Sequence, residues 1–380
     1  MRSVSKSVRL LQELIALPSV NPAFLPIGDL RAGEHRVADY LASIAATAGL
    51  GVDFQDVFPG RRNVMARLTP SGPIRHRLLL APHLDTVGQP ALDELLKPKR
   101  AQGRVIGRGA CDTKGCVAAM LTALLALAKA GPRPQSTEIV FLGLVDEENG
   151  QGGSHHFAKH GFKADLAIVG EPTRLEVVTA HKGDVWLQLA LHGRSAHGAT
   201  PHLGRNAALM ASRAVVVLET EYAEALRQRT HPLLGHPTVN VGSIHGGTQP
   251  NIVPNHCVIS IDRRTLPGET ETQVRREILK LLRRHGLNGT FDTLRTSPCP
   301  ALETDPEIPW VQGLLRSAGK RRTHGVHYFC DAAPLAAGGI PSVVFGPGDI
   351  AQAHTTNEWI SVTSLERGAS ILEQFLRGLP

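Results

Sequence analysis

Apolar positions recur at helical spacing from the start of the chain: Val4, Val8, Leu11, Leu14 and Ile15. This spacing predicts an amphipathic helix closed by Pro18. A second amphipathic helix is predicted over 33–48, with Val37, Leu41 and Ile44 inward and Gly49 just past its end. The pattern then shifts to short apolar runs, and 52–57, 63–68 and 77–81 read as strands. Residues 114–130 are apolar nearly all round, which predicts a helix covered on most sides. Continuous apolar strands are predicted at 138–145 and 165–169. Such strands alternating with helices predict an α/β fold, with a mainly parallel central sheet flanked by helices.

After His181 the texture changes. Val185, Leu187, Leu189 and Leu191 alternate with polar neighbours, the mark of a half-buried antiparallel strand. A helix at 205–221, strands at 238–244 and 256–263, and a helix at 270–285 follow. The order β–α–β–β–α predicts a compact α+β module with two helices over one sheet face. From 289 the apolar-strand style returns, with a strand at 341–346 and a closing helix at 363–377. The expected organisation is one domain, 1–180 with 289–380, interrupted by an inserted domain, 181–288.

Composition narrows the class. A chain of 380 residues exceeds the size of a single core. Aromatics make up 4%, too few for base-stacking platforms. The formal net charge of +7 is spread over short groups such as Lys320-Arg321-Arg322, which predicts a solvated basic surface and no nucleic-acid partner. A positive field also attracts anionic small substrates. No apolar run approaches the ~20 residues of a membrane span. The five cysteines are an odd number without a CxxC pair, which suits free thiols in a reducing compartment. With no apolar h-region at the N-terminus, the expected location is cytoplasmic.

The candidate chemistry sits where the apolar strands stop. His83 and Asp85 end one strand. Asp112 lies in a glycine-rich entry to the buried helix, Gly107-Arg108-Gly109-Ala110-Cys111-Asp112-Thr113-Lys114-Gly115. Glu147-Glu148 follow the next strand, Glu171 the one after, and His354 comes after the run 341–346. Taken singly, each has an ordinary structural reading: a local His–Asp pair, a solvated loop, a turn residue, a helix cap. Jointly they occupy the carboxyl ends of strands, where open α/β sheets bind ligands. Two histidines and several carboxylates converging there call for a neutralising cation. Imidazole with carboxylate and no thiolate suits catalytic zinc, and cobalt or manganese also fits.

These motifs, with Val169-Gly170-Glu171-Pro172-Thr173 and Ala353-His354 followed by Asn357-Glu358, resemble the M20 metallopeptidase and deacylase family. The resemblance runs from the first helix to the last. It implies a catalytic domain with an inserted lid or dimerisation domain, and hence a homodimer through 181–288. It implies two divalent metal ions bridged by Asp112, with His83 and Glu171 completing one site and Glu148 and His354 the other. Asp85 is then the acid that orients the His83 imidazole, and Glu147 the general base. The resemblance also implies a cis Asp112–Thr113 bond. In the inserted domain, Gly193-Arg194-Ser195-Ala196-His197 resembles the segment whose histidine reaches a partner subunit's site and stabilises the oxyanion. Asn251 falls where the family binds substrate, and Arg264 is the candidate clamp for a substrate α-carboxylate.

The expected activity is removal of an N-acyl group from an N-acyl amino acid. Gly346-Pro347-Gly348-Asp349-Ile350 before Ala353-His354 resembles the acetylornithine deacetylase branch, which implies an N-acetyl substrate. A succinyl-diaminopimelate desuccinylase and an M20 carboxypeptidase or dipeptidase are the alternatives, and a non-catalytic binding protein on the same fold is the rival from another class. Where many relatives have Thr-Asp/Glu-Ala this chain has Cys330-Asp331-Ala332, in a region that shapes the side-chain or acyl pocket.

Overall fold

The computed structural model describes residues 4–88, 92–294 and 297–380. The chain divides into two compact units. The first takes the chain up to Thr179, then Thr304–His324 and Cys330–Pro380; the second takes Ala180–Glu303 and Gly325–Phe329. The sequence pattern predicts the return to the first unit at 289. Instead, Gly289–Thr293 forms a strand of the second unit's sheet, paired antiparallel with Gly183–His192. Its short alternating run, Thr290 against Phe291, carries too little signal to separate it from the apolar strands of the first unit.

In the first unit six strands of the main sheet lie in the order Gly51–Phe58, Arg61–Leu68, Thr137–Gly143, His76–Pro82, Leu166–Gly170, Ser342–Val344. The last four run parallel, and the first two are antiparallel additions at one edge. The parallel strands are buried on both faces, which explains their unbroken apolar sequence: Leu78, Leu79, Leu80 and Ala81 are all inaccessible. The Lys114–Ala130 helix packs against the sheet and against the helices Lys6–Ala16 and Val362–Arg377. Met120, Leu121 and Leu124 are fully enclosed in this core. Each side chain of that size contributes about 1.5–3 kcal/mol on burial.

Parallel pairing has a consequence for chemistry. Thr137–Gly143, His76–Pro82 and Leu166–Gly170 are neighbours with the same direction, so their carboxyl ends fall on one edge of the sheet. His83 follows the middle strand directly, Glu171 follows the third directly, and Asp146-Glu147-Glu148 follow the first after a bend.

The second unit holds a four-stranded antiparallel sheet in the order Thr238–Gly246, His256–Thr265, Gly183–His192, Gly289–Thr293. Burial alternates along His256–Thr265, as the sequence pattern predicts for a sheet covered on one face. Leu187, Leu189, Ile259 and Ile261 meet Ala211 and Ala214 of the Ala207–Val217 helix and Val274, Ile278 and Leu282 of the Glu271–Arg284 helix. Thr270 and Gln273 form a reciprocal capping box at the start of the latter helix. Among the described residues, no helix is long and apolar enough to cross a membrane.

Candidate active site

Six of the residues singled out from sequence converge at the carboxyl edge of the first unit's sheet. The His83 ring is buried, with Nδ1 3.1 Å from the Asp85 backbone oxygen and 3.4 Å from Asp85 Oδ1. That contact turns Nε2 toward Asp112 Oδ1 at 3.1 Å and Glu171 Oε1 at 3.7 Å. The other oxygen of Asp112 lies 3.2 Å from His354 Nε2, which also approaches Glu148 Oε2 at 2.9 Å. Asp112 therefore stands between two imidazoles, one on each oxygen. His83, Glu147 and Glu171 present ligand atoms within 4.8 Å of one another, and so do His83, Asp112 and Glu148.

Asp85 stands apart from this set of atoms. Its oxygens accept the backbone N–H groups of Glu147 and Glu148, each at 3.1 Å. It thereby ties the end of one strand to the loop after its neighbour. The Asp112–Thr113 peptide bond is cis.

The electrostatics of the cluster favour added positive charge. Burial pushes the carboxyls of Glu147 and Glu171 well above the ordinary range, and their acidic neighbours push the same way. Burial and the Asp112 charge lift Glu148 to about 7. His354 rises to about 10 because Asp112 and then Glu148 hydrogen-bond to it. Burial works against a charged His83, but Asp112 and Asp85 outweigh it and hold the imidazole well above its usual value. Acids that resist ionising beside histidines that resist neutrality mark a pocket with more negative charge than its protons balance. Glu148 Oε1 is also buried without a hydrogen-bond partner. A divalent cation answers both features. The donor set, imidazole plus carboxylate, is that of zinc, cobalt or manganese sites. Burial pushes the nearby Cys111, Cys116 and Cys330 thiols up, so they remain neutral and are poor ligands.

The profile of peptidase family M20/M25/M40 matches residues 79–378. The chain belongs to this family. As an M20 protein it is a hydrolase acting on amide or peptide bonds, within a family that is metal-dependent. It is 31% identical over 381 residues to an acetylornithine deacetylase of Edwardsiella ictaluri, covering 97% of this chain and 96% of that one. Its fold is similar to that of an aminopeptidase from Bacillus cereus, with a TM-score of 0.78 at 22% identity, covering 98% of this chain and 97% of the other. It is also similar to a dinuclear metal binding peptidase of the M20 family from Bacillus subtilis, with a TM-score of 0.69 at 12% identity, covering 97% and 96% of the two chains.

The remaining predicted residues of this M20 chain lie in the second unit. His197 is exposed, and its Nδ1 accepts the Ala199 N–H at 3.1 Å. A neutral imidazole accepting at Nδ1 carries its proton on Nε2. The His197 and Asn251 segments are joined, since Asn251 O accepts the Gly198 N–H at 2.7 Å. A Cβ at Gly198 would come within 3.0 Å of the Asn251 backbone, so glycine permits this approach. Arg264 is forked onto Asp262, with Nε at 2.9 Å and Nη2 at 3.0 Å.

Residues that stand in the quoted motifs build the site through partners the sequence does not reveal. Glu358 is buried and accepts N–H groups from Gly109, Cys111 and Asp112 at 2.9, 2.7 and 2.8 Å, while Arg108 Nη1 meets it at 2.7 Å. It holds the loop that presents Asp112. Its identity within Asn357-Glu358 was the available signal, but nothing local shows its partner to lie 250 residues away. Asp331 of the Cys330-Asp331-Ala332 tripeptide is buried, accepting from Ser154 Oγ at 2.5 Å. Burial lifts its carboxyl to about 7.

Proposed function

We propose that the protein is a two-metal amidohydrolase that removes the acyl group from an N-acyl amino acid, with an N-acetyl substrate of the acetylornithine deacetylase type. The observation that carries this reading is the buried, charge-excess cluster with its unpartnered Glu148 oxygen. The substrate class is supported by the relative named acetylornithine deacetylase, similar over nearly the whole chain.

His83, Asp112 and Glu171 would hold one ion, and Asp112, Glu148 and His354 the other. When bound, the ions supply Lewis acidity toward the scissile carbonyl and the attacking water. Glu147 takes a proton from that water and delivers it to the leaving amine; its carboxyl, already pushed up by burial, is suited to carry the proton between the two. Asp85 keeps the His83 ring oriented through Nδ1.

His197, carrying its proton on Nε2, donates to the developing oxyanion of a partner subunit's site in a homodimer formed through the second unit. Asn251, held against the His197 segment, contacts substrate. Arg264 receives the α-carboxylate; Asp262 engages Nε and Nη2, leaving Nη1 for the ligand.

The test is hydrolysis of a panel of N-acetyl, N-succinyl and dipeptide substrates with zinc, cobalt or manganese supplied. Turnover of N-acetyl amino acids above the rest is expected. Faster turnover of the N-succinyl or dipeptide members would reassign the substrate, and silence across the panel would remove the deacylase reading.

A further inference from the structure

Asn21 is fully buried and has had no part in the reaction so far. Its segment runs beside the strand end that carries Asp85: Asn21 N–H donates to Thr86 O at 2.9 Å, and Thr86 N–H to Ser19 O at 3.0 Å. The side-chain amide donates both of its hydrogens to carboxylates, to Asp85 Oδ2 at 2.8 Å and Asp146 Oδ1 at 3.0 Å. Its oxygen accepts the Ala23 N–H at 3.1 Å, which settles which end is nitrogen.

Both carboxylates bear on Glu147. Asp85 accepts the Glu147 N–H on Oδ1 and the Glu148 N–H on Oδ2, and Asp146 is the residue before Glu147, held at φ 71°. A left-handed conformation at a non-glycine residue costs about 1–2 kcal/mol, so tertiary bonds must keep it there. They come from behind. Arg61 is forked onto the buried Glu34 at 2.8 and 2.6 Å and reaches Asp146 Oδ1 at 3.0 Å. Glu34 Oε1 in turn accepts the Asp146 N–H at 3.1 Å. Asn21 is the piece that joins this outer brace to Asp85. Without it, two buried carboxylates would lose the one amide that donates to both.

We propose that Asn21 is a positioning residue for the hydrolysis. It locks Asp85 and Asp146 together, and through them sets where the Glu147 carboxylate stands. Arg61 and Glu34 are its outer support. The inference rests on Glu147 acting as the base. Misplacing a reacting group by about 1 Å costs on the order of 100-fold in rate.

The experiment is a double-mutant cycle in the metal-loaded protein, pairing Asn21→Ala with Glu147→Gln and reading kcat, KM and metal content on an N-acetyl amino acid. Compared at full metal loading, Asn21→Ala should lower kcat by about 100-fold, with KM unchanged. In the Glu147→Gln background it should add no further loss, which a merely structural role would not produce. Unchanged kcat in Asn21→Ala, or the same loss in both backgrounds, overturns the role. Should Asn21→Ala fail to fold, Arg61→Lys, which keeps the charge but loses the fork, replaces it in the cycle and is read by the same criteria. A wild-type rate in Glu147→Gln alone overturns the base assignment, and the role of Asn21 with it. A loss in Glu147→Gln without one in Asn21→Ala overturns the Asn21 role alone.

Discussion

The two units solve opposite problems. The first gathers two histidines and four carboxylates at the carboxyl edge of its sheet, most of them shielded from water, where an unbalanced charge is expensive. The second keeps an apolar core under one sheet face and carries His197 and Asn251 on exposed segments, where a polar group costs nothing. Buried charge has few explanations, so a cluster of it announces a cation. Exposed polar groups have many, so His197 and Asn251 are silent until a partner or a resemblance speaks for them.

The sharpest break in this comparison is Glu147→Gln. It removes the proposed proton carrier while keeping shape, and kcat should fall by roughly 100- to 10,000-fold with metal retained. Loss of metal together with activity would show Glu147 to be a ligand instead. In the second unit, Ile259 sits wholly inside the core. Ile259→Ala should cost about 2–5 kcal/mol in urea unfolding, with metal content untouched. A drop in metal content in the folded variant would break the separation drawn between the units.

His181 sharpens the contrast through pH. It is a lone buried histidine, and burial pulls its pKa down to about 4, so it folds neutral rather than recruiting a counter-charge. The unfolded chain binds this proton near pH 6.5 and the folded one near 4, so its contribution is complete above about 6.5 and is lost as pH falls toward 4. The span corresponds to about 3 kcal/mol. Urea titrations of wild type and His181→Asn should converge toward acid, and parallel curves would remove the effect.

His197→Ala should lower kcat by about 100-fold, the cost of one oxyanion donor. In the proposed homodimer, mixing Glu147→Gln protein with His197→Ala protein should restore activity if His197 serves the partner's site. Failure to recover on subunit exchange would place it in its own.

The strand and helix pattern and the cluster at the strand ends were legible from sequence for one reason. Double burial writes unbroken apolar runs, and a polar residue terminating such a run is conspicuous, as with His83 and Glu171. The supports were not legible. Arg61 meets Glu34 across 27 residues and Arg108 meets Glu358 across 250, and nothing local to any of the four names its partner. The boundary at 289 failed similarly, because Gly289–Thr293 is too short to show which sheet it joins.

A two-ion site that runs amide hydrolysis can be probed by titrating the metal-stripped protein with zinc while following hydrolysis of an N-acetyl amino acid. Binding should saturate at two ions per chain, with turnover appearing as they bind and none without metal. Two ions bound with no turnover of any N-acyl or peptide substrate, or full turnover in the stripped protein, would contradict it.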